Sequence, residues 1–334
     1  MVGNNSNPML ELVRAMPEHL LAGYDIGCGQ QPGRADDALV ITGMGGSAIS
    51  GALLAGVAAD SSPVPILCSR DYDLPAAVGR RSLVIAISYS GNTEETLSGF
   101  NVARKRGCRL AVITSGGRLA AEAARARIPV VIVPTGLPPR AALGFLFGSL
   151  LALARSARVL RLTRKTVIAA STLLATRYET WRRKAGRLAR ALGDNLPVVY
   201  ATSRLSEPVA ERWRCQINEN AKLLCHSSIL PEHNHNEIVG MGAPYAMRSS
   251  HLFTLVDDST HSRTRLRLKH LLGITRGTYR KATILAAEGE SRLEQALSLV
   301  LLGDLLSIEL AASREVDPLP VTRIEELKRR MARN

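Results

Sequence analysis

A carboxylate and an imidazole stand sixteen residues apart in a polar stretch of the chain, where they could move protons. Glu219 lies in the run Asn218–Lys222 near the end of a predicted helix, and His235 lies in the run Pro231–Glu237. A partly desolvated carboxylate and a histidine exchange protons near neutral pH. A metal site is the alternative, because His233 and the neighbouring glutamates are possible ligands, but no third-ligand spacing is recognisable elsewhere.

The turn Gly43-Met44-Gly45-Gly46-Ser47 follows a predicted strand and leads into a predicted helix. Glycines let the backbone approach a ligand closely, and the amides at the start of the next helix point at an anion. Gly46 and the hydroxyl of Ser47 are therefore candidates for binding a phosphate. A dinucleotide-binding turn follows the same pattern, but Ala48 stands at its third glycine position and no acidic residue follows about twenty positions later.

A second turn after a predicted strand places Ser88, Ser90 and Thr93 around Gly91. An ordinary helix cap needs one hydroxyl or amide, so capping by itself does not explain this group. Parallel strands end at one edge of a sheet, and ligands bind at that edge in open α/β sheets. The two turns together predict a phosphate site. Arg140, at the start of another predicted helix, is a candidate partner for the phosphate or for a developing oxyanion, with a plain surface arginine as the alternative.

Short β-branched runs alternate with helical stretches in both halves of the chain, which is typical of parallel sheets covered by helices. The predicted strands are Ala38–Thr42, Val64–Leu67, Leu83–Ser88, Arg109–Thr114 and Val130–Val133, then Val198–Thr202, Leu252–Val256 and Thr283–Ala286. The predicted helices are Ala48–Ala59, Glu94–Arg106, Leu119–Arg127, Ala141–Leu160, Leu205–Lys222, Arg263–Gly273 and Ser291–Ala312. The fold class predicted is α/β, with two doubly wound, mostly parallel sheets and helices on both faces.

The length of 334 residues fits two domains of ordinary size. We expect a first domain at residues 1–150 with an N-terminal helix, a helical connector at 151–192, and a second domain at 193–334 with a C-terminal helical tail. No apolar run approaches about eighteen residues, and the N-terminus lacks a signal pattern. A cytoplasmic protein without a membrane contact is the expectation.

Charge and cysteine content narrow the possible partners further. The net charge is +14, and the basic residues between 151 and 190 recur at spacings of three and four, as on solvated helix faces. Nucleic-acid binding is the weaker alternative, because no aromatic-rich or helix-turn-helix signature accompanies them. The five cysteines are scattered without a C-x-x-C pair, so buried free thiols are expected instead of disulfides or structural zinc.

At these residues the chain resembles a known family, the bifunctional phosphoglucose/phosphomannose isomerases, which contain two sugar-isomerase (SIS) domains. The matching stretches follow one another in family order along the chain. They are GMGGSAISG at Gly43–Gly51, SYSGNTEET at Ser88–Thr96, PRAALG at Pro139–Gly144, NENAK at Asn218–Lys222, PEHNHNEIVG at Pro231–Gly240, GES at Gly289–Ser291, LGDLLSIELA at Leu302–Ala311 and VDPLPVTRIEELK at Val316–Lys328.

The resemblance implies that glucose 6-phosphate, and also mannose 6-phosphate, is interconverted with fructose 6-phosphate through a cis-enediol, without a metal or another cofactor. It implies that Glu219 moves the proton between C2 and C1, that His235 of a partner subunit helps to open the sugar ring, and that Lys328 lies near the ring oxygen. A homodimer with a shared active site follows. Arg140 would face the enediolate, and the phosphate would be held by Gly46, Ser47, Ser88, Ser90 and Thr93.

One position departs from the family pattern, and one alternative function uses the same fold. Leu319 stands where the family often has a small hydroxyl residue that is associated with room for the mannose epimer, although Thr322 is nearby. A regulator that binds sugar phosphates without catalysis is the alternative function. Glu219 and His235 distinguish the two, because a sensor needs no proton shuttle.

Overall fold

The computed structural model describes residues 7–241 and 248–331, which form two parallel sheets flanked by helices. Residues 1–6, 242–247 and 332–334 of the expected domains lie outside the described residues. The first half contains α1 (Pro8–Arg14), α2 (Met16–Cys28), β1 (Leu39–Thr42), α3 (Gly46–Val57), β2 (Ile66–Ser69), β3 (Leu83–Ser88), α4 (Glu94–Lys105), β4 (Arg109–Thr114), α5 (Gly117–Arg125), β5 (Val130–Ile132) and α6 (Leu143–Ser156). The second half contains α7 (Arg164–Leu192), β6 (Leu196–Ala201), α8 (Glu207–Asn220), β7 (His226–Ile229), α9 (Glu237–Gly240), β8 (Ser250–Val256), α10 (Ser262–Ile274), β9 (Lys281–Ala286), α11 (Arg292–Ser313) and α12 (Thr322–Met331).

Both sheets are doubly wound, and their central strands are arranged in the same way. The first sheet has the order β2-β1-β3-β4-β5 and the second has the order β7-β6-β8-β9, with parallel pairing throughout. In such sheets the chain changes direction between two central strands, and the crevice beyond their carboxyl ends is where ligands bind. This switch point lies between β1 and β3 in the first sheet and between β6 and β8 in the second. The predicted fold class is confirmed.

The predicted strands and helices are present, with ends displaced by a few residues. β1 and β3 consist of apolar residues followed by one hydroxyl residue, and both are buried along their whole length, as expected for central parallel strands. β7 was not predicted. Its sequence, His226–Ile229, is short and polar and lies at a half-exposed sheet edge, so it lacks the apolar β-branched pattern from which strands are recognised.

The helices near the middle of the chain belong to the common core. α7 packs against both α2 and α11. One continuous hydrophobic cluster includes Ile85 of β3, Leu174 of α7 and Phe253 of β8. Because this cluster extends through the ranges 1–150, 151–192 and 193–334, the expected domain boundaries remain a prediction.

α11 is the central helix of the second half. By length and composition it is apolar enough to cross a membrane, but 83% of its most apolar window is buried inside the protein. A serine capping box starts the helix, with the Ser291 side chain accepting from the Glu294 amide and the Glu294 carboxylate accepting from the Ser291 amide. Burial on all sides explains why its apolar residues are not confined to one face.

Several basic side chains of the 151–190 stretch are paired within the chain. Arg164 donates two hydrogen bonds of 2.8 Å to Asp25, and Arg177 bonds to Glu288 at 2.6 Å. These pairs connect α7 to its neighbours and account for part of the positive charge. All five cysteines are free. Cys108 and Cys225 are buried and Cys215 is half-buried, but Cys28 and Cys68 are exposed, so the expectation that the thiols are buried is wrong for those two.

Candidate active site

The first glycine-rich turn lies at the carboxyl end of β1 and starts α3. Gly45 has φ 52° and ψ −126°, a conformation that is open essentially to glycine alone, and it turns the chain into the helix. Gly46 packs closely against the backbone at Pro139: a Cβ atom on Gly46 would lie 3.2 Å from the carbonyl oxygen of Pro139. Ser47, in the first turn of α3, is 7% exposed, and within the described part of the chain its hydroxyl has no side-chain hydrogen bond.

The second turn lies at the carboxyl end of β3, next to the first. The Ser88 hydroxyl is 2.9 Å from the Thr93 hydroxyl and accepts a 3.1 Å hydrogen bond from the amide of Gly91. Gly91 has φ 69°, so the turn depends on a left-handed residue. Ser88 is buried and Ser90 is exposed. The predicted hydroxyls are thus clustered, with Ser88 inside the turn and Ser90 at its rim.

Ordinary helix capping does not explain this group of hydroxyls. Thr93 stands at the N-cap position of α4, yet its side chain makes no capping hydrogen bond. The Asn92 side chain accepts from the amide of Arg118, in the first turn of α5 instead of α4. The Ser90 hydroxyl accepts from the Asn92 amide at 3.3 Å. Phosphate binding remains the prediction for the hydroxyls of Ser88, Ser90 and Thr93.

Arg140 connects the first turn to the carboxylate region. It lies in the short helical turn Pro139–Ala141 and is 6% exposed. Its Nε donates to the Asn220 side chain at 2.7 Å, and its Nη1 lies 3.7 Å from Oε2 of Glu219. Burial lowers the pKa of Arg140, and the negative charges of Glu219 and Asp317 oppose that shift. An arginine retains its charge in proteins, so a cation stands beside the predicted base.

The remaining nitrogen of Arg140 holds the chain before α12. Nη2 donates to the carbonyl oxygens of Pro318 at 2.6 Å and Leu319 at 2.9 Å. The Leu319 side chain packs against the hydrophobic core. Leu319, the residue that departs from the family pattern, therefore packs this segment against the core. The hydroxyl residue Thr322 borders the nearby cavity.

Glu219 borders a cavity of about 450 Å³. It lies in the last turn of α8, and its side chain is 31% exposed. A carboxylate in this half-buried position, beside a cation and open to a cavity, is suited to accept and return a proton. The lining residues come from the end of α8 and the start of α12, and they are Asn218, Glu219, Lys222, Leu223, Leu224, Pro320, Val321, Thr322, Arg323 and Ile324.

A buried polar network beneath Arg140 was not predicted from the sequence. Arg212 of α8 and Asp304 of α11 form a two-pronged ion pair, with distances of 2.9 and 2.7 Å and side chains that are 3% and 2% exposed. Arg212 also donates to the Arg140 carbonyl at 3.1 Å. A buried charge requires a partner, so Asp304, which stands between apolar residues of α11, is the sequence signal from which this pair could have been found.

His235 and Glu219 lie on different structural elements. It is exposed on the short helical turn Glu232–His235 that follows β7. In the described part of the chain, no hydrogen bond or ion pair joins it to Glu219. The second histidine of the run, His233, is buried with its ring 4.5 Å from that of Tyr200. The two histidines therefore have different surroundings, and among the described residues no three metal-ligating side chains are grouped.

The segment that carries His235 is anchored by Glu237. His226 approaches its Oε1 at 2.6 Å, and the Tyr200 hydroxyl donates to it at 3.1 Å. Burial by itself would raise the pKa of Glu237, but hydrogen bonds from His226 and Ser228 lower it to about 2. The carboxylate therefore stays ionised at neutral pH and ties the segment to β6 and β7.

Lys328 is exposed on α12, a helix in which no described residue is buried. Ile324 borders the cavity of Glu219. Lys328 lies about one helical turn beyond Ile324 and does not line the cavity. A larger cavity of about 760 Å³ lies elsewhere, between α3, β2 and α8, and none of the predicted site residues lines it.

Comparison with known proteins identifies similar chains of nearly equal length. A family model described as the bacterial phospho-glucose isomerase C-terminal SIS domain matches residues 182–331. The chain is 37% identical over 335 positions to a bifunctional phosphoglucose/phosphomannose isomerase of Caldicellulosiruptor bescii, covering 97% of this chain and 99% of the relative. It is also 37% identical over 298 positions to a protein of the same name from Aquifex aeolicus, covering 89% and 91%.

The solved structures support the fold. Tagatose-6-phosphate ketose/aldose isomerase from Escherichia coli is similar with a TM-score of 0.72 and 15% identity, covering 92% of this chain and 93% of that one. The C-terminal domain of glucosamine-fructose-6-phosphate aminotransferase from Francisella tularensis gives a TM-score of 0.75 at 14% identity, covering 94% and 98%. At these identities the likeness concerns the arrangement of strands and helices.

Proposed function

The chain belongs to the family of bifunctional phosphoglucose/phosphomannose isomerases, and from that premise we propose which of its residues carry out the reaction. It is an aldose–ketose isomerase that acts on the 6-phosphates of glucose and mannose, with fructose 6-phosphate as the ketose. The residue assignment rests on the position of Glu219. Its carboxylate borders a cavity and lies 3.7 Å from the guanidinium of the buried Arg140.

The phosphate is held at the switch point of the first sheet. The turns after β1 and β3 lie side by side there, and the hydroxyl of Ser47 has no other side-chain partner in the described chain. A hydrogen bond to a charged group contributes about 1.5–3 kcal/mol, which is more than one between neutral groups and favours hydroxyls as phosphate ligands. The groups assigned to the phosphate are Gly46, Ser47, Ser88, Ser90 and Thr93.

Glu219 is the base that moves the proton. It removes the proton from C2 of the open-chain aldose to give a cis-enediol, and return of that proton to C1 gives the ketose, while the hydroxyl proton on O2 is exchanged for one on O1. The reaction is redox-neutral and needs no metal in this scheme. Arg140 stabilises the negative charge that develops on the enediolate oxygens, with the Nη1 side of its guanidinium directed towards Glu219.

Ring opening is assigned to His235 and Lys328, with His235 supplied by a partner subunit. The support is that His235 is exposed and unconnected to Glu219 within the described part of one chain, while its segment is firmly anchored by Glu237. Lys328 lies about one turn of α12 beyond Ile324, which lines the cavity. The enzyme is therefore a homodimer with shared active sites. The exposed free thiols of Cys28 and Cys68 favour the reducing cytoplasm.

The first experiment follows conversion of fructose 6-phosphate to glucose 6-phosphate with a chelator present. We expect turnover by the wild type, and for Glu219→Gln a kcat lower by a factor of about 100 or more with nearly unchanged affinity for inorganic phosphate. Glu18→Gln, an exposed position on α2, is the matched control and should behave as wild type. Normal turnover by Glu219→Gln would remove that residue from the mechanism, and phosphosugar binding without wild-type turnover would indicate a regulator.

A complementation experiment tests the shared site. Glu219→Gln and His235→Ala are each expected to be nearly inactive alone. After subunit exchange in an equal mixture, the mixed dimers contain one intact site, so about a quarter of the wild-type activity should return. No recovery in a mixture shown to contain mixed dimers would place both residues in a site formed by one chain.

A further inference from the structure

Lys222 follows α8 directly after its C-cap residue, Ala221, and has an uncommon backbone conformation. Its φ is 54°, in the left-handed region. Helices often end with a left-handed residue at this position, but that residue is usually glycine, because a side chain is strained there. Arg127, Arg158 and Glu315 have the same conformation after α5, α6 and α11, so the backbone alone assigns no role to Lys222 and only its side-chain contacts do.

The ammonium group of Lys222 is fully used by carbonyl oxygens. Nζ donates to Glu219 at 2.6 Å, to Pro320 at 2.9 Å and to Pro318 at 3.3 Å. A lysine has three N–H donors and no acceptor, so these three bonds exhaust its capacity. One bond goes to the backbone of the proposed base itself, and the other two go to the segment before α12.

We propose that Lys222 is a positioning residue that clamps the segment Asp317–Val321 to the end of α8 and so holds α12 beside Glu219. Arg140 binds the same segment and shares the Pro318 carbonyl with Lys222. No described residue of α12 is buried, so packing contributes little to the position of this helix. The two cations therefore fix where α12, and with it Lys328, stands relative to the base.

Direct substrate binding by Lys222 would conflict with this arrangement, because Nζ would have to give up carbonyl partners to bind a phosphate or a sugar hydroxyl. The effect on turnover rests on the proposed function of Glu219 and Lys328. The effect on the segment does not depend on it, since the clamp exists without substrate. The experiment therefore measures both.

Hydrogen exchange of residues 317–331, followed by mass spectrometry without substrate, is the direct test. Lys222→Met keeps the chain length but removes the donors, and Lys222→Gly also relieves the left-handed strain. We expect both variants to exchange about tenfold faster in this segment, with a kcat about tenfold lower and a smaller change in KM. Lys222→Gly should keep or raise the Tm, which separates the clamp from general stability.

Two further variants complete the test. Lys222→Arg retains donors and should restore most of the protection and of the kcat, and Lys105→Met, an exposed lysine on α4, should match the wild type. Unchanged exchange of 317–331 in Lys222→Met and Lys222→Gly overturns the clamp whatever the activity. Lost turnover with normal exchange also overturns it, in favour of substrate contact. If the wild type itself fails to turn over fructose 6-phosphate, the exchange result still decides the clamp, and the proposed function alone fails.

Discussion

The two sheets have the same arrangement of central strands but differ at their switch points. In the first sheet, the turns after β1 and β3 contain serine and threonine hydroxyls and no carboxylate. In the second sheet, the turn after β8 contains Asp257, which is 3% exposed. Its carboxylate accepts hydrogen bonds from the hydroxyl of Ser203, which follows β6, and from the amide and hydroxyl of Ser259. The switch point of the second sheet thus contains the Asp257 carboxylate, an anion of the protein itself. At the same place, the first sheet has hydroxyl donors that are suited to a bound anion.

The neighbouring hydroxyls of the second sheet are also engaged. The Thr202 hydroxyl donates to the Leu255 carbonyl at 2.8 Å and lies 2.8 Å from the Thr260 hydroxyl, and the Ser206 hydroxyl accepts from the Thr202 amide at 3.1 Å. A negative charge in this place repels a phosphate. The two sheets thus share the strand order that creates a crevice but differ in the residues at the strand ends, and we propose that only the first crevice suits a phosphate.

The largest effect is expected from Gly91→Ala, which breaks the first switch point. At φ 69° an added Cβ would overlap the carbonyl oxygen of Gly116, so the turn that carries Ser88 and Thr93 must move. We expect KM for fructose 6-phosphate to rise by a factor of about 100, measured by steady-state kinetics and by phosphate titration. Gly277→Ala, which also has positive φ but meets nothing within 4 Å, is the matched control. Equal losses in both variants would mean that strain alone is responsible.

An intermediate effect is expected from Asp257→Asn in the second switch point. Loss of the charge that accepts from Ser203 and Ser259 should lower the free energy of unfolding by about 2 kcal/mol, as measured by urea denaturation. At a temperature where the variant is folded, kcat/KM should stay within about threefold of wild type. A large loss of turnover in the folded variant would show that the second switch point takes part in catalysis.

The smallest effect is expected from a fall in pH, which should destabilise the second sheet before the first. His251 of β8 is buried and stacked on Phe253, and burial together with Lys281 lowers its pKa to about 4. The histidine is neutral when folded, whereas the unfolded chain binds a proton near pH 6.5. Its contribution to stability is therefore present above about pH 6.5 and is lost as the pH falls towards about 4. The strands of the first sheet contain no histidine.

Hydrogen exchange of β8 and β3 at about pH 7 and about pH 5, corrected for intrinsic rates, measures this difference. His251→Phe keeps the stacking but loses the titration, so its stability should depend less on pH over that range. A wild-type β8 whose protection is as insensitive to pH as that of β3 would contradict the assignment to His251.

Much of the site was predictable because its parts are local patterns. Hydroxyls and glycines after apolar strands identified the turns at Gly43–Ser47 and Ser88–Thr93. The polar runs made Glu219 and His235 candidates, and the family resemblance implied their roles. The pairing of Arg140 with Asn220 was not predictable, because these residues are 80 positions apart in the chain. The roles of the site residues remain predictions that the experiments above test.

The sequence by itself determined the kinds of element, their order and the residues with chemical capacity, because periodicity and turn composition act over a few neighbouring positions. Only the tertiary structure decided which side chains pair with one another at the switch points and around Arg140. The Asp257 carboxylate accepts from Ser203 across 54 positions, and Arg140 donates to the Pro318 carbonyl across 178. Contacts over such separations are set by the packing of strands and helices, which no local pattern specifies.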